Sequence, residues 1–306
     1  KKKGRVERLM RVLSSLGGAD DPTDTKIDQV PAHIAFISSS PMNEADTKAL
    51  DLETEYELMR DLVRNHPAFQ LSRWRASKEH IRNAIGSGCF CVHHTGHGDQ
   101  EEGLHIEGGQ ASANAEAYLD GESFAEMIRK IPAENRPKVV YLAACYSEVV
   151  GEKLVKGGVV RHVVACRKED VLGDNGAPVF AREFYKRLLG GETVLEAFAQ
   201  AKRKLREMVR WRIERALSIL QDHIPQSGEV RASVMKMASK LEGKEAPYGK
   251  KVYNKLFALC SQEKVGLDQE TKEETKRLLG WAFQAEIEEP KYTLLPRTDD
   301  GDGKAH

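Results

Sequence analysis

The sequence carries no net charge, because its 47 Lys and Arg residues are matched by 47 Asp and Glu. That balance excludes a protein held to nucleic acid or anionic lipid mainly by bulk charge. No apolar run approaches the ~20 residues that a membrane helix needs. Cysteine is sparse and odd in number, five in 306 residues, and four of the five sit in or beside apolar stretches. This excludes a disulfide framework and fits buried thiols in a reducing compartment, so the expected location is cytoplasmic. The start, Lys1-Lys2-Lys3-Gly4-Arg5, is basic, but no apolar segment follows it as a secretory signal would require. A first residue other than Met leads to the expectation of a fragment or processed chain, with more protein upstream. No internal repeat is visible.

What is present is an ordinary globular composition, 40% hydrophobic and 31% charged. The length suits one large domain or two medium ones and is ample for a full core. Residues 33–38 read as a buried strand, followed by a helix over roughly 46–65. Its apolar residues Leu50, Leu52, Tyr56, Leu58, Leu62 and Val63 recur at mostly helical spacing. Strand 69–74, helix 77–86, strand 89–94, a hairpin or flap at 103–109 and helix 123–131 follow. Lys138–Cys145 is the clearest strand, apolar throughout as a strand buried on both faces should be. Helix 148–156, strand 161–166 and helices 177–189 and 192–218 complete the pattern. Such alternation predicts a mainly parallel sheet covered by helices on both sides, with strand C-termini along one edge. Residues 219–290 read as helical without a convincing strand, and 290–306 as a frayed or linker-like tail. The expected division is an N-terminal segment 1–29, a sheet domain 30–218, and a helical extension with flexible tail 219–306.

In an open parallel sheet, reactive groups gather at the carboxyl ends of strands. One strand runs through His93-His94-Thr95 into Gly96-His97-Gly98, and another through Leu142-Ala143-Ala144 into Cys145. His97 and Cys145 stand 48 positions apart, enough for one crossover between neighbouring strands. An imidazole beside a thiol, with a helix N-terminus just beyond, favours the thiolate. The backbone N–H groups of Gly98 and Cys145 are candidates for an oxyanion hole. The bland alternative for Cys145 is a buried structural thiol, since free cysteine is often fully buried.

These residues carry a family resemblance. Gly96-His97-Gly98 after an apolar strand, then Leu142-Ala143-Ala144-Cys145 some 50 positions later, resembles the caspase-fold cysteine peptidases, and the CHAT domain above all. The opening strand into Ser38-Ser39-Ser40-Pro41, the helix containing Glu55, and Phe180–Lys186 before Leu188-Leu189-Gly190-Gly191 match as well. The likeness covers about residues 30–205. It implies a caspase-like three-layer α/β/α fold with a mainly parallel central sheet, plus a helical C-terminal extension. It also implies peptide-bond hydrolysis with Cys145 as nucleophile and His97 as general acid or base. Cys145-Tyr146-Ser147 departs from caspases, which carry an Arg-Gly pair there, so their preference for Asp is not implied. In separase-like and some CHAT proteins an acidic residue beyond the next strand selects a basic one. Asp174 stands at the matching place, and Asp170 and Glu148 are the other substrate-binding candidates. Arg or Lys preference follows from that likeness. No cofactor is required; the partners implied are a protein or peptide substrate and a sensor or scaffold module that gates activity. The rival is a catalytically silent interaction module on the same fold.

Other patterns point elsewhere and are weaker. Cys89, Cys91, His93, His94 and His97 invite zinc, with Cys89, Cys91 and His93 expected on one face of the strand. The spacing lacks the Cys-x2–4-Cys pair and the distant second pair of a structural site, so no metal is expected. Lys202–Arg215 holds seven basic residues, which read as a solvated helix face over inward Leu205, Met208, Val209 and Ile213. Without an aromatic platform, direct nucleic-acid binding is not expected. Asp299–Asp302 lacks the spacing and terminal Glu of a calcium loop.

Overall fold

The computed structural model describes residues 32–39, 52–107, 118–167, 176–224, 228–244, 248–261, 267–288 and 291–296. In chain order, the first half comprises β1 (Ala32–Ser38), α1 (Leu52–Arg64), β2 (Phe69–Arg75), α2 (Lys78–Gly86) and β3 (Cys91–Thr95). Three short strands follow, β4 (Gly98–Asp99), β5 (Gly103–His105) and β6 (Tyr118–Leu119), then α3 (Gly121–Arg129) and β7 (Val139–Ala143). Next come α4 (Glu148–Lys156), β8 (His162–Cys166), α5 (Ala177–Leu189) and α6 (Val194–His223). Last are α7 (Glu229–Leu241), α8 (Lys250–Cys260), α9 (Gln269–Glu288) and β9 (Tyr292–Pro296).

The chain forms two compact units, one of Lys1–Leu172, Ala181–Gln200 and Lys291–His306, the other of Gly173–Phe180 and Ala201–Pro290. The first holds a sheet in the order β2-β1-β3-β7-β8-β9, parallel except for β9. Every residue of β3, β7 and β8 is buried, which is why these strands run apolar instead of alternating. On one face Ile81 and Ile85 of α2, Phe124 of α3 and Leu154 of α4 pack with Val92, Val140, Leu142 and Val163. On the other, Tyr56 of α1 meets Phe36, and Tyr185 and Phe184 of α5 meet His93 and Tyr141. The result is the three-layer α/β/α arrangement with a mainly parallel sheet.

Some expectations need correction. Residues 292–296, expected in a frayed tail, pair antiparallel with β8, from His162 opposite Pro296 to Cys166 opposite Tyr292. An outer strand position tolerates the proline at its end. The helix expected to close at 218 continues to His223. Helix α1 buries Glu55, Met59 and Val63, whereas Leu52, Tyr56, Leu58 and Leu62 are half-buried. Cys89 precedes the first paired residue of β3, so the alternation does not reach it; it lies in the core cluster of Val92, apart from Cys91 and His93. The hairpin or flap expected at 103–109 starts with β5 of the small antiparallel β4-β5-β6 sheet, with residues 108–117 outside the described set.

In the second unit the remainder of α6 accompanies α7, α8 and α9. Leu205, Val209 and Ile213 are buried and Met208 is half-buried. Arg212 stacks over Trp281, its guanidinium carbon 4.0 Å from the ring centre. Tyr253 packs on Phe283 and donates its hydroxyl to Glu286 at 2.7 Å. Along the basic stretch, Arg203 pairs with Glu207 and Arg210 with Glu214. Among the described residues, no helix is long and apolar enough to cross a membrane.

Candidate active site

Parallel pairing brings the carboxyl ends of β1, β2, β3 and β7 to one edge, and the hydrogen bonding runs on past the strands. Ala76 N–H donates to Ser38 O, Ser39 N–H to Thr95 O at 3.0 Å, and Gly96 N–H to Ala143 O at 3.2 Å. These bonds carry Gly96 beside the end of β7, and the chain then turns out of the sheet at His97. There the His97 carbonyl accepts from His105 N–H at 3.1 Å, and Gly98 pairs with Leu104 across the β4–β5 hairpin. The Asp99 carboxylate closes that hairpin by accepting from Glu102 and Glu101 N–H, which hold it below its usual range. The His97 ring meets His105 edge-on at 6.0 Å, and His105 meets Tyr118 at 4.4 Å.

Gly98 lies directly against the second predicted residue. A Cβ at position 98 would run into the Cys145 carbonyl oxygen, with the Cys145 carbonyl carbon at 3.2 Å and Ala144 Cβ at 3.3 Å. The absence of a side chain therefore permits the residue after His97 to touch the Cys145 backbone. Cys145 is partly exposed, whereas Cys89, Cys91, Cys166 and Cys260 are buried. Burial pushes the Cys89 and Cys91 thiols up to about 12 and Cys260 to about 11, so these three stay protonated and unreactive at neutral pH.

The turn that presents Cys145 is unusual. Tyr146 has φ of 56°, and among the described residues it is the one non-glycine with positive φ. Such a conformation costs an aromatic residue about 1–2 kcal/mol and persists only where the surroundings enforce it. Ser147 supplies the enforcement. It is buried, its hydroxyl donates to Leu142 O at 3.1 Å and accepts Cys166 N–H at 3.0 Å, and so it rivets β7 and β8 to the start of α4. Glu148 occupies the first turn of α4, where a carboxylate favours the helix dipole. Asp170 and Asp174 lie outside the described residues.

Beneath this edge is a buried polar cluster that the motif reading did not include. The rings of Phe36, His93 and Tyr141 align across β1, β3 and β7, stacked within 10° at centroid separations of 4.9 and 4.7 Å. His93 Nε2 lies 3.2 Å from Glu55 Oε1, close for an ion pair though not aligned as a good hydrogen bond. His93 Nδ1 lies 3.0 Å from the Tyr185 hydroxyl, which in turn lies 3.4 Å from Cys91 Sγ. The second Glu55 oxygen accepts from the Thr95 hydroxyl at 2.7 Å. Burial pushes the Glu55 carboxyl up, but His93 and Thr95 outweigh it and hold the group below its usual range. A sequence signal existed: Glu55 is in register with Met59 and Val63, and His93 interrupts an apolar strand. Cys91 and His93 are thus committed core groups, and among the described residues no cluster of three or more His, Cys, Asp or Glu is placed to hold a metal ion.

No curated protein matches the chain in sequence. Solved structures similar to it include the Arg-specific cysteine proteinase gingipain R (RgpB), at 12% identity and TM-score 0.34, covering 53% of this chain and 37% of the other. Another is the complex of Porphyromonas gingivalis RgpB pro- and mature domains, at 12% identity and TM-score 0.33, covering 52% of this chain and 37% of that one. The chain thus spans little more than a third of the length of these solved chains. The sequence pattern of the CHAT domain matches residues 11–283, nearly the whole sequence, and the chain belongs to the CHAT domain family.

Proposed function

We propose that this CHAT domain is a cysteine endopeptidase in which Cys145 is the nucleophile and His97 the acid–base partner. The observation that carries the reading is the contact of Gly98 with the Cys145 backbone, which joins the histidine loop to a partly exposed thiol at the sheet edge. The Cys145 thiolate attacks the scissile carbonyl carbon, and the carbonyl oxygen takes up the charge near the Gly98 and Cys145 amides. Collapse of that adduct breaks the C–N bond while the His97 imidazolium protonates the leaving amine. Water, deprotonated by His97, then hydrolyses the thioester and releases the thiol. The first turn of α4 adds a favourable partial charge near the thiolate. Asp174, Asp170 and Glu148 supply the acidic side of a pocket for Arg or Lys, and a sensor or scaffold partner gates the reaction.

Substrate profiling on a peptide library, with Cys145→Ala as the control, tests both parts. Cleavage after basic residues that vanishes in the variant is the expected result. An acidic preference would remove Asp174 from the pocket. Cys145 should also react with iodoacetamide far faster than the other four cysteines. Uniform or absent labelling in an activated preparation would favour the catalytically silent module.

A further inference from the structure

The carboxylate of Glu55 reaches from α1, outside the proposed site, to the last residue of the strand that leads to His97. Both of its oxygens face β3: one accepts the Thr95 hydroxyl at 2.7 Å, the other lies 3.2 Å from His93 Nε2. His93 and Thr95 are two positions apart on a strand and so share a face. An ionised carboxylate in a core is costly unless such partners hold it, which makes the contact stiff once formed. The far anchor is fixed as well, because the His93 ring is clamped between Phe36 and Tyr141 and its other nitrogen lies 3.0 Å from the Tyr185 hydroxyl. Thr95 itself is the last sheet residue before Gly96 and His97, and its carbonyl is tied to Ser39 N–H.

Taking His97 as the acid–base group, as proposed above, we infer that Glu55 is a positioning residue, which fixes through Thr95 the angle at which Gly96-His97 leaves the sheet toward Cys145. The backbone bonds at this point set the height of the strand end, while the Thr95 hydroxyl is pulled from the α1 side. Displacement of α1 would release the strand end and loosen His97 without any change at Cys145. Docking of α1 and the geometry of the site are therefore linked by one carboxylate.

The experiment uses the full chain with Thr95→Val, which is close in volume but lacks the hydroxyl, and Thr95→Ser, which keeps it. The His97 ring signals are followed by NMR in histidine-labelled protein, alongside the rate of Cys145 alkylation by iodoacetamide and the thermal unfolding curve. Thr95→Val is expected to displace the His97 signals and slow alkylation on the order of 10- to 100-fold, in line with loss of a hydrogen bond to a charged group. Thr95→Ser is expected to restore both. A folded Thr95→Val protein with unmoved His97 signals would overturn the inference and leave Glu55 a structural residue. Should Thr95→Val not fold, Thr95→Ala, which also removes the hydroxyl, decides by the same His97 signals: displaced signals support the inference and unmoved signals overturn it. Slow, unselective alkylation of Cys145 in the wild type would sink the peptidase reading separately, while the His97 signals still report whether Glu55 positions the ring.

Discussion

Gly98 packs so closely on Cys145 that a single methyl group at position 98 would overlap the Cys145 carbonyl oxygen. Two chain segments from different strands meet there through backbone alone. The Gly in this motif is required by steric fit, since position 98 is not among the residues with positive φ.

Gly98→Ala should therefore damage the site more than the fold. The hairpin must retreat from Cys145 by about an ångström, because the overlap is with backbone that cannot swing away, at an overpacking cost of about 1–3 kcal/mol or more. The expected outcome is a loss of Cys145-dependent cleavage on the order of 100-fold with a modest fall in thermal midpoint. Cleavage rates and unfolding curves measured on the same preparation would check this, and unchanged rates would show that the contact is irrelevant to catalysis.

Tyr146 offers a test of stored backbone strain. Asn tolerates the left-handed region, whereas a β-branched residue does not. Tyr146→Asn should unfold at a higher urea concentration than Tyr146→Val, the gap corresponding to about 1–2 kcal/mol. Equal midpoints would mean that the turn relaxes freely and stores no strain.

The order of strands and helices was legible from the sequence because strands buried on both faces, such as β7 and β8, leave unbroken apolar runs bounded by turns. The Gly96–Gly98 loop and the strand end at Cys145 were legible as motifs, and the contact of Gly98 with the Cys145 backbone gives their meeting a steric basis. Two other features were not legible. Glu55 shares a helical register with Met59 and Val63, which marks it as inward, but its partners, like those of Tyr185, are revealed only by the packing of α1 and α5 against His93. The strand β9 escaped notice because a five-residue outer strand beside prolines has no periodicity long enough to register.

Ser147→Ala tests the rivet below Cys145. The substitution leaves Cys166 N–H without its acceptor in a buried setting, and such a loss costs about 1–3 kcal/mol. The thermal midpoint should fall accordingly, and Cys145 alkylation should slow because the start of α4 is no longer tied to Leu142. Ser147→Thr, which retains the hydroxyl, should lie between the variant and the wild type. A variant as stable as the wild type would show that water replaces the hydroxyl at no cost.

His94 predicts the acid limb of the stability curve. It is 1% exposed, and burial pushes its pKa down to about 4, from the 6.5 of a free imidazole. The folded state holds the ring neutral, so between these two values the unfolded chain binds the extra proton and folding is opposed. Stability from this group is fully present above pH 6.5, declines as pH falls, and levels off below pH 4. The whole decline is about 3–4 kcal/mol at most, from about 1.4 kcal/mol per pH unit over the window between the two values. Glu55, held below its usual 4.5 by His93 and Thr95, starts to lose its contribution as pH falls through that value, so its loss overlaps the lower end of the His94 window and continues beneath it. Urea titrations from pH 7 to pH 4 should therefore show a shallower loss for His94→Gln than for the wild type. Parallel curves for the two proteins would mean that the His94 ring is protonated in the fold without penalty.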